Sequence, residues 1–245
     1  MNKLFDIEID ERPGSLAFST DAFLLFAMLP QTPKKRACEL GTGSGAIALL
    51  AASRGKFGSV DAVEIQSVLA ESARSNAEKN GLAGKVNVIN ADIKDLPTSM
   101  NGRYDAVFFN PPYLKNDSLN TNSDEADRAC RHEIYGGISD FCSAAARLLK
   151  NGGDVYTVYR PERTADLLYA MKSRGLEPKR MITVFPSESD KPCLILVKAK
   201  KGASSGMIFE RPLYIYKDKT NKIYRDDFAE IYESGVIGNE LSEGL

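Results

Sequence analysis

A chain of 245 residues with 43% hydrophobic and 27% charged side chains has an ordinary globular composition and room for one large domain with its own core. Charges interrupt every apolar run of the opening residues, which excludes a signal peptide or a membrane span and predicts a cytoplasmic protein. Four cysteines, Cys38, Cys130, Cys142 and Cys193, lie far apart with no C-x-x-C pair, so neither a zinc knuckle nor a disulfide framework is expected, and the thiols are read as reduced.

The formal net charge of −1 gives no hint of a polyanion partner, but it is unevenly spread. Residues before Lys150 hold 16 Lys/Arg and 19 Asp/Glu, whereas Lys150 to Arg225 holds 16 against 8. That half can face phosphates, or it can be a solvated surface, since net charge says nothing about clustering in space.

Taken in chain order, Ser19 to Leu29 predicts a helix, with a Ser/Thr cap, Asp21 in its first turn and Pro30 as its stop. Arg36 to Leu40 is a short strand, Gly41-Thr42-Gly43-Ser44-Gly45 a turn, and Ala46 to Ser53 a small-residue helix packed close to that strand. Val60 to Ile65 is the next strand, followed by an amphipathic helix from Ser67 to Asn80 that Gly81 closes. Val86 to Ile89, Tyr104 to Phe109 and Val155 to Tyr159 repeat the strand pattern, the last two joined by a helix over about Ile134 to Leu149. Asn116 to Arg131, rich in Asn, Ser and Asp, reads as a long loop. Two closing strands, Arg180 to Phe185 and Leu194 to Lys198, are joined by too few residues for a crossover helix and must pair antiparallel.

Strands alternating with helices define the fold class: an α/β, doubly wound, mostly parallel seven-stranded Rossmann-like sheet with an antiparallel last strand. Three segments are expected: a strand and helix over 1–35, the main α/β domain over 36–200, and a short extension over 201–245 packed on it, with a β-like stretch from Met207 to Tyr216.

Ligands of open α/β sheets bind at the carboxyl ends of the strands, where Gly41, Gly43 and Gly45 sit. Glycine lets backbone approach a ligand, and Glu64, 19 residues past Gly45, can accept hydrogen bonds from both hydroxyls of a ribose. This much fits NAD and S-adenosylmethionine equally, and a tight strand-to-helix turn also explains the glycines. Asp92, after the third strand, can accept from the exocyclic amine of adenine, with Ile65 and Ile93 on either face of the ring. Glu39 is placed to meet the amino acid end of a cofactor, directly or through water.

Asn110-Pro111-Pro112-Tyr113, at the end of the fourth strand, narrows the chemistry. An amine conjugated to a ring or carbonyl is a poor nucleophile because its lone pair is delocalised. Two acceptors that hold its N–H groups turn that lone pair towards a methyl donor, and no carboxylate base or metal is needed. The Asn110 side-chain oxygen and the Pro111 carbonyl can be those acceptors. The two prolines stiffen the turn, and Tyr113 can stack on a planar substrate. His132, the only histidine, invites a general-base role, though a structural or phosphate contact accounts for it as well.

With Glu39 to Gly45, Glu64, Asp92 and Asn110-Pro-Pro-Tyr113 at these spacings, the chain resembles class I S-adenosylmethionine-dependent methyltransferases of the small-domain type over about Ser19 to Lys198. Thr20-Asp21-Ala22-Phe23-Leu24-Leu25, Ala129-Cys-Arg-His-Glu133 and a short basic C-terminal extension resemble most the bacterial tRNA1(Val) (adenine-N6) methyltransferases, which modify an adenine beside the anticodon. The resemblance implies S-adenosylmethionine as cofactor, with Thr42 in the glycine loop part of its site, and Thr20 and Asp21 bordering that pocket. It places Arg131, His132 and Glu133 near the RNA entry and implies tRNA as partner; the oligomeric state stays open, with a monomer expected.

The same motifs resemble release-factor glutamine N5-methyltransferases, which carry a helical substrate domain ahead of the glycine motif where this chain has 40 residues, and guanine-N2 rRNA methyltransferases, which share the upstream helix. From a different class, an NAD-dependent dehydrogenase fits the glycines and Glu64 but lacks an evident hydride-transfer acid. A non-catalytic RNA-binding module is the other contrast.

Overall fold

The computed structural model describes residues 2–4, 7–10, 19–111, 137–218 and 220–238. Pro112, Tyr113, the Asn116 to Arg131 loop, and Cys130, Arg131, His132 and Glu133 lie outside the described residues.

A short antiparallel hairpin, β1 (Asn2–Leu4) and β2 (Ile7–Ile9), precedes helix α1 (Thr20–Met28). The main sheet then forms from β3 (Thr32–Leu40), β4 (Phe57–Glu64), β5 (Val86–Asn90), β6 (Tyr104–Phe109), β7 (Leu149–Tyr159), β8 (Leu176–Phe185) and β9 (Leu194–Lys201), in spatial order β5-β4-β3-β6-β7-β9-β8. Neighbours from β5 to β7 are parallel, whereas β9 runs antiparallel to both β7 and β8, as the short β8–β9 connection demands. Two short strands, β10 (Ile208–Phe209) and β11 (Leu213–Tyr214), pair with the outer edge of β8 and account for the β-like stretch.

Helices α2 (Ala46–Ser53) and α3 (Ser67–Lys79) follow β3 and β4, and α4 (Ile138–Leu148) leads into β7. The N-terminus of α4 is closed by Asp140, whose carboxylate accepts the Gly137 N–H at 2.9 Å. Two further helices, α5 (Thr164–Lys172) and α6 (Asp226–Ser234), have no counterpart in the sequence reading. Each buries only two or three side chains, Leu167, Ala170 and Met171 in one and Phe228 and Ile231 in the other, too weak a stripe to stand out before its partner surface exists. Strands β3 and β7 also begin earlier than predicted, at Thr32 and Leu149, through exposed polar residues that carry no alternation.

Side-chain alternation divides the interior into two cores. Ala37, Ala106, Phe108, Tyr156, Val158 and Leu196 face α1 and α2, while Cys38, Leu40, Val107, Phe109, Val155 and Val197 face α4 and α5. Burial pushes the Cys142 thiol up to about 12 and raises that of Cys38 as well, so neither thiol is ionised near neutral pH.

Helix α1 buries every residue from Ala22 to Ala27. Its C-terminal end is tied by the fully buried Lys56, whose Nζ donates to Leu29 O at 2.7 Å, and by Ile237, whose N–H donates to Ala27 O at 3.0 Å. Aromatic contacts from Phe23 to Phe228 and Tyr232 lock it against α6. Ser19 occupies the N-cap position, but its hydroxyl donates to the Asp21 carboxylate and makes no side-chain cap bond to the backbone.

The antiparallel course of β9 divides the basic C-terminal half. Lys200 lies opposite Asp154 and Lys201 opposite Leu176, at the end of the sheet where the parallel strands begin. Lys150 lies at that end too, next to Leu149 opposite Tyr104, whereas Lys179 and Arg180 stand midway along β8, Arg180 in register through Lys198 and Tyr156 with Phe108. Several of these cations are paired: Lys150 with Asp105, Lys200 with Asp154 and Arg180 with Glu210. Arg160 and Lys191 lie at the other end, as does the hairpin of β12 (Tyr216–Asp218) and β13 (Ile223–Tyr224) with Lys217, Lys222 and Arg225. Strand direction thus divides the basic half between opposite ends of the sheet.

Candidate active site at the strand ends

Between β3 and α2 the chain turns through three glycines with φ of 72°, 60° and 88° at Gly41, Gly43 and Gly45, values that side-chain-bearing L residues rarely adopt. The Gly41 and Thr42 N–H groups both donate to Val63 O at 2.9 Å, which pins the loop to the end of β4. At Gly45 space is limiting as well: a Cβ there would lie 3.2 Å from Ala73 Cβ, so this glycine lets α2 and α3 approach closely.

Glu39 is 1% exposed; its Oε2 accepts from Thr42 Oγ1 at 2.6 Å and from the Ala48 N–H at 3.0 Å. Burial raises its carboxyl from 4.5 to about 8, against the lowering effect of those two hydrogen bonds and with a smaller upward push from Glu64. Thr42 thus spends its hydroxyl within the protein.

Glu64 closes β4 and is also buried, with Oε2 accepting the Gly43 N–H at 2.8 Å and Oε1 the Gln66 N–H at 2.9 Å. Four acceptor positions on a carboxylate leave capacity for a further donor such as a hydroxyl. Asn90 braces the strand end behind it through Nδ2, which donates to Glu64 O at 2.8 Å and Ile65 O at 3.1 Å. Asp92 lies one turn on, its Oδ1 accepting the Lys94 N–H at 2.9 Å and its Oδ2 3.3 Å from Lys94 Nζ. Ile93 is buried and Ile65 half-buried.

Asn110 follows β6. The strand end is held by Thr157, whose hydroxyl donates to Phe109 O at 2.9 Å, and by the Phe109 ring, 5.3 Å from that of Phe141. Asn110 Nδ2 donates to Asp21 Oδ2 at 3.0 Å, and Asn110 Oδ1 is buried with no hydrogen-bond partner among the described residues. A buried carbonyl oxygen without a donor is costly by roughly 1–3 kcal/mol, so its presence marks a place for an incoming N–H or O–H.

The structure thus brings Thr20, Asp21, Glu39, Gly41, Thr42, Gly43, Gly45, Glu64, Ile65, Asp92, Ile93, Asn110 and Pro111 to one end of the sheet, contributed by the ends of β3, β4, β5 and β6 and the start of α1. Sequence reasoning missed the Asp21–Asn110, Thr42–Glu39 and Asn90–Glu64 bonds; the first joins residues 89 apart and has no local signal.

A sheet ordered β5-β4-β3-β6-β7-β9-β8 with one antiparallel strand, and a glycine turn after its central strand, is the class I methyltransferase fold. The chain aligns with a predicted O-methyltransferase from Agrobacterium tumefaciens at a TM-score of 0.70 and 22% identity, covering 88% of this chain and 96% of that one. It also aligns with a geranyl diphosphate methyltransferase in complex with S-adenosylmethionine at a TM-score of 0.54 and 17% identity, covering 74% and 84%.

Residues 17–172 match the family model described as methyltransferase small domain, and the chain belongs to that family of S-adenosylmethionine-dependent methyltransferases. This sets aside the dehydrogenase reading. Relatives include the tRNA1(Val) (adenine(37)-N6)-methyltransferases of Porphyromonas gingivalis, 31% identical over 70% of this chain and 69% of that one, and of Trichodesmium erythraeum, 29% identical over 76% and 78%. Among the described residues no helix is long and apolar enough to cross a membrane.

Proposed function

We propose that this methyltransferase acts on a planar, conjugated nitrogen, the N6 amine of an adenine in the anticodon loop of a tRNA. The observation that carries the reading is the buried Asn110 Oδ1, which has no hydrogen-bond partner among the described residues and is an acceptor for an N–H at the end of β6. The names of the relatives support adenine and tRNA.

S-adenosylmethionine supplies a methyl group on a sulfonium sulfur. The site suits it: the glycine loop allows close backbone approach, Glu64 accepts from ribose hydroxyls, Asp92 from the adenine amine between Ile65 and Ile93, and Glu39 faces the amino acid end. Thr20 and Asp21 border this pocket from α1. Asn110 Oδ1 and the Pro111 carbonyl hold the substrate amine so that its lone pair points at the methyl group, with Pro112 stiffening the turn and Tyr113 stacking on the base. Arg131 and His132 take the RNA side. A flipped-out or already unpaired adenine reaches such a pocket at less cost than one stacked in a duplex.

Incubation with methyl-labelled cofactor and, separately, bulk tRNA, ribosomal RNA and peptide release factor tests the reading. The expected product is N6-methyladenosine in tRNA. Methylguanosine in ribosomal RNA or methylglutamine in the release factor would replace the substrate, and stabilisation by NAD instead of S-adenosylhomocysteine would remove the cofactor.

A further inference from the structure

A side-chain amide is nearly symmetrical in shape, and turning Asn110 by 180° about its last torsion exchanges a hydrogen-bond acceptor for a donor. Which atom faces the substrate is therefore decided by what holds the other one. An ionised carboxylate only accepts, and Asp21 Oδ2 lies 3.0 Å from Asn110 Nδ2. In the flipped state Asn110 Oδ1 would meet that carboxylate, acceptor against acceptor, and Nδ2 would meet the substrate N–H, donor against donor.

Asp21 is itself held. Its second oxygen accepts from the Ser19 hydroxyl, and it stands in the first turn of α1, where the helix dipole favours a negative charge. The helix is anchored at its other end by Lys56 and Ile237 and along its side by α6, so Asp21 is presented from a rigid element.

We infer that Asp21 is a positioning residue for methyl transfer: by holding Asn110 Nδ2 it keeps Asn110 Oδ1 turned towards the substrate amine. This rests on the proposed role of Asn110 as the acceptor for that amine. Asp21 acts only through Asn110, so removing it after Asn110 is gone should change nothing further.

The test is a double-mutant cycle in the full chain with labelled cofactor and bulk tRNA. Asp21→Ala should lower kcat on the order of tenfold or more, with the larger part of the loss in kcat and not in KM for the cofactor. Asn110→Ala should lose more, and the double variant should be no slower than Asn110→Ala. Asp21→Asn, whose amide oxygen still accepts, should regain part of the rate. It also serves if the alanine variant fails to fold, because the Asn110 side-chain amide signals in a 1H–15N spectrum should shift when the carboxylate is replaced. Losses that multiply in the double variant, or unchanged kcat in Asp21→Ala, overturn the positioning role, as does an unshifted Asn110 amide. Full turnover in Asn110→Ala overturns the functional reading instead, and the two failures are thus distinct.

Discussion

The backbone N–H of Gly43 donates to the Glu64 carboxylate at 2.8 Å, so the glycine loop after β3 and the acid that ends β4 form one unit. Glu64→Gln keeps one acceptor oxygen but turns an N–H₂ group towards either the Gly43 N–H or the Gln66 N–H, which loosens the loop and removes an acceptor for the ribose. Affinity for S-adenosylhomocysteine should fall about tenfold to a hundredfold, the worth of one or two charge-assisted hydrogen bonds. Titration calorimetry reads this directly, and an unchanged Kd would separate Glu64 from the cofactor.

Asn110→Ala removes the proposed acceptor while leaving β6 anchored through Thr157 and Phe141. Turnover should drop about a hundredfold, roughly 3 kcal/mol in the barrier, with cofactor affinity nearly intact. Single-turnover kinetics with labelled cofactor check it.

Glu39 makes stability depend on pH. Its folded value of about 8 lies above its ordinary 4.5, so the folded protein holds a proton that the unfolded chain releases in between. The contribution is complete below pH 4.5 and is lost as pH rises through 8, at up to about 1.4 kcal/mol per pH unit. Glu39→Gln keeps an acceptor for Thr42 and Ala48 without titrating. Its denaturation midpoint should be flatter than wild type between pH 5 and pH 8, and parallel curves would contradict the assignment.

Gly43 and Gly45 share a left-handed backbone, but only at Gly45 would a Cβ meet Ala73. Alanine at either position should cost about 1–2 kcal/mol for the backbone, with Gly45→Ala the more destabilising because α3 must also yield. Chemical denaturation of the two variants side by side gives the comparison.

Strand direction separates two basic surfaces. Lys217→Glu with Lys222→Glu, at the site end, should raise KM for tRNA and reduce its salt dependence, whereas Lys200→Glu with Lys201→Glu, at the far end, should change neither much. Equal effects from both pairs would mean that RNA reaches around the sheet.

Much of the fold was legible because its signals are local. Short apolar runs alternating with helices marked seven strands, the glycine triplet marked the turn, and the short β8–β9 connection dictated antiparallel pairing. Helices α5 and α6 were not legible, because each is short, carries few buried side chains and forms on a surface supplied by distant parts of the chain; of β10 and β11 the β-like character was legible, but not the split into two strands or the parallel pairing with β8. Among the candidate site residues, Glu39 and Glu64 could be picked out at strand ends, and Asp92 and Asn110 just after them.

What the sequence determined by itself is local: a glycine turn through φ values that other residues rarely adopt, and two prolines after Asn110 that each fix their own φ whatever surrounds them. The tertiary structure decided the electrostatics. Burial, and not residue type, raises Glu39 to about 8; a carboxylate 89 residues away sets which face Asn110 shows; the reversal of β9 carries Lys200 and Lys201 to the end of the sheet away from the site. Dihedral preferences act within a few bonds, whereas desolvation, hydrogen bonding and charge act through space, and space is defined only once the chain has folded.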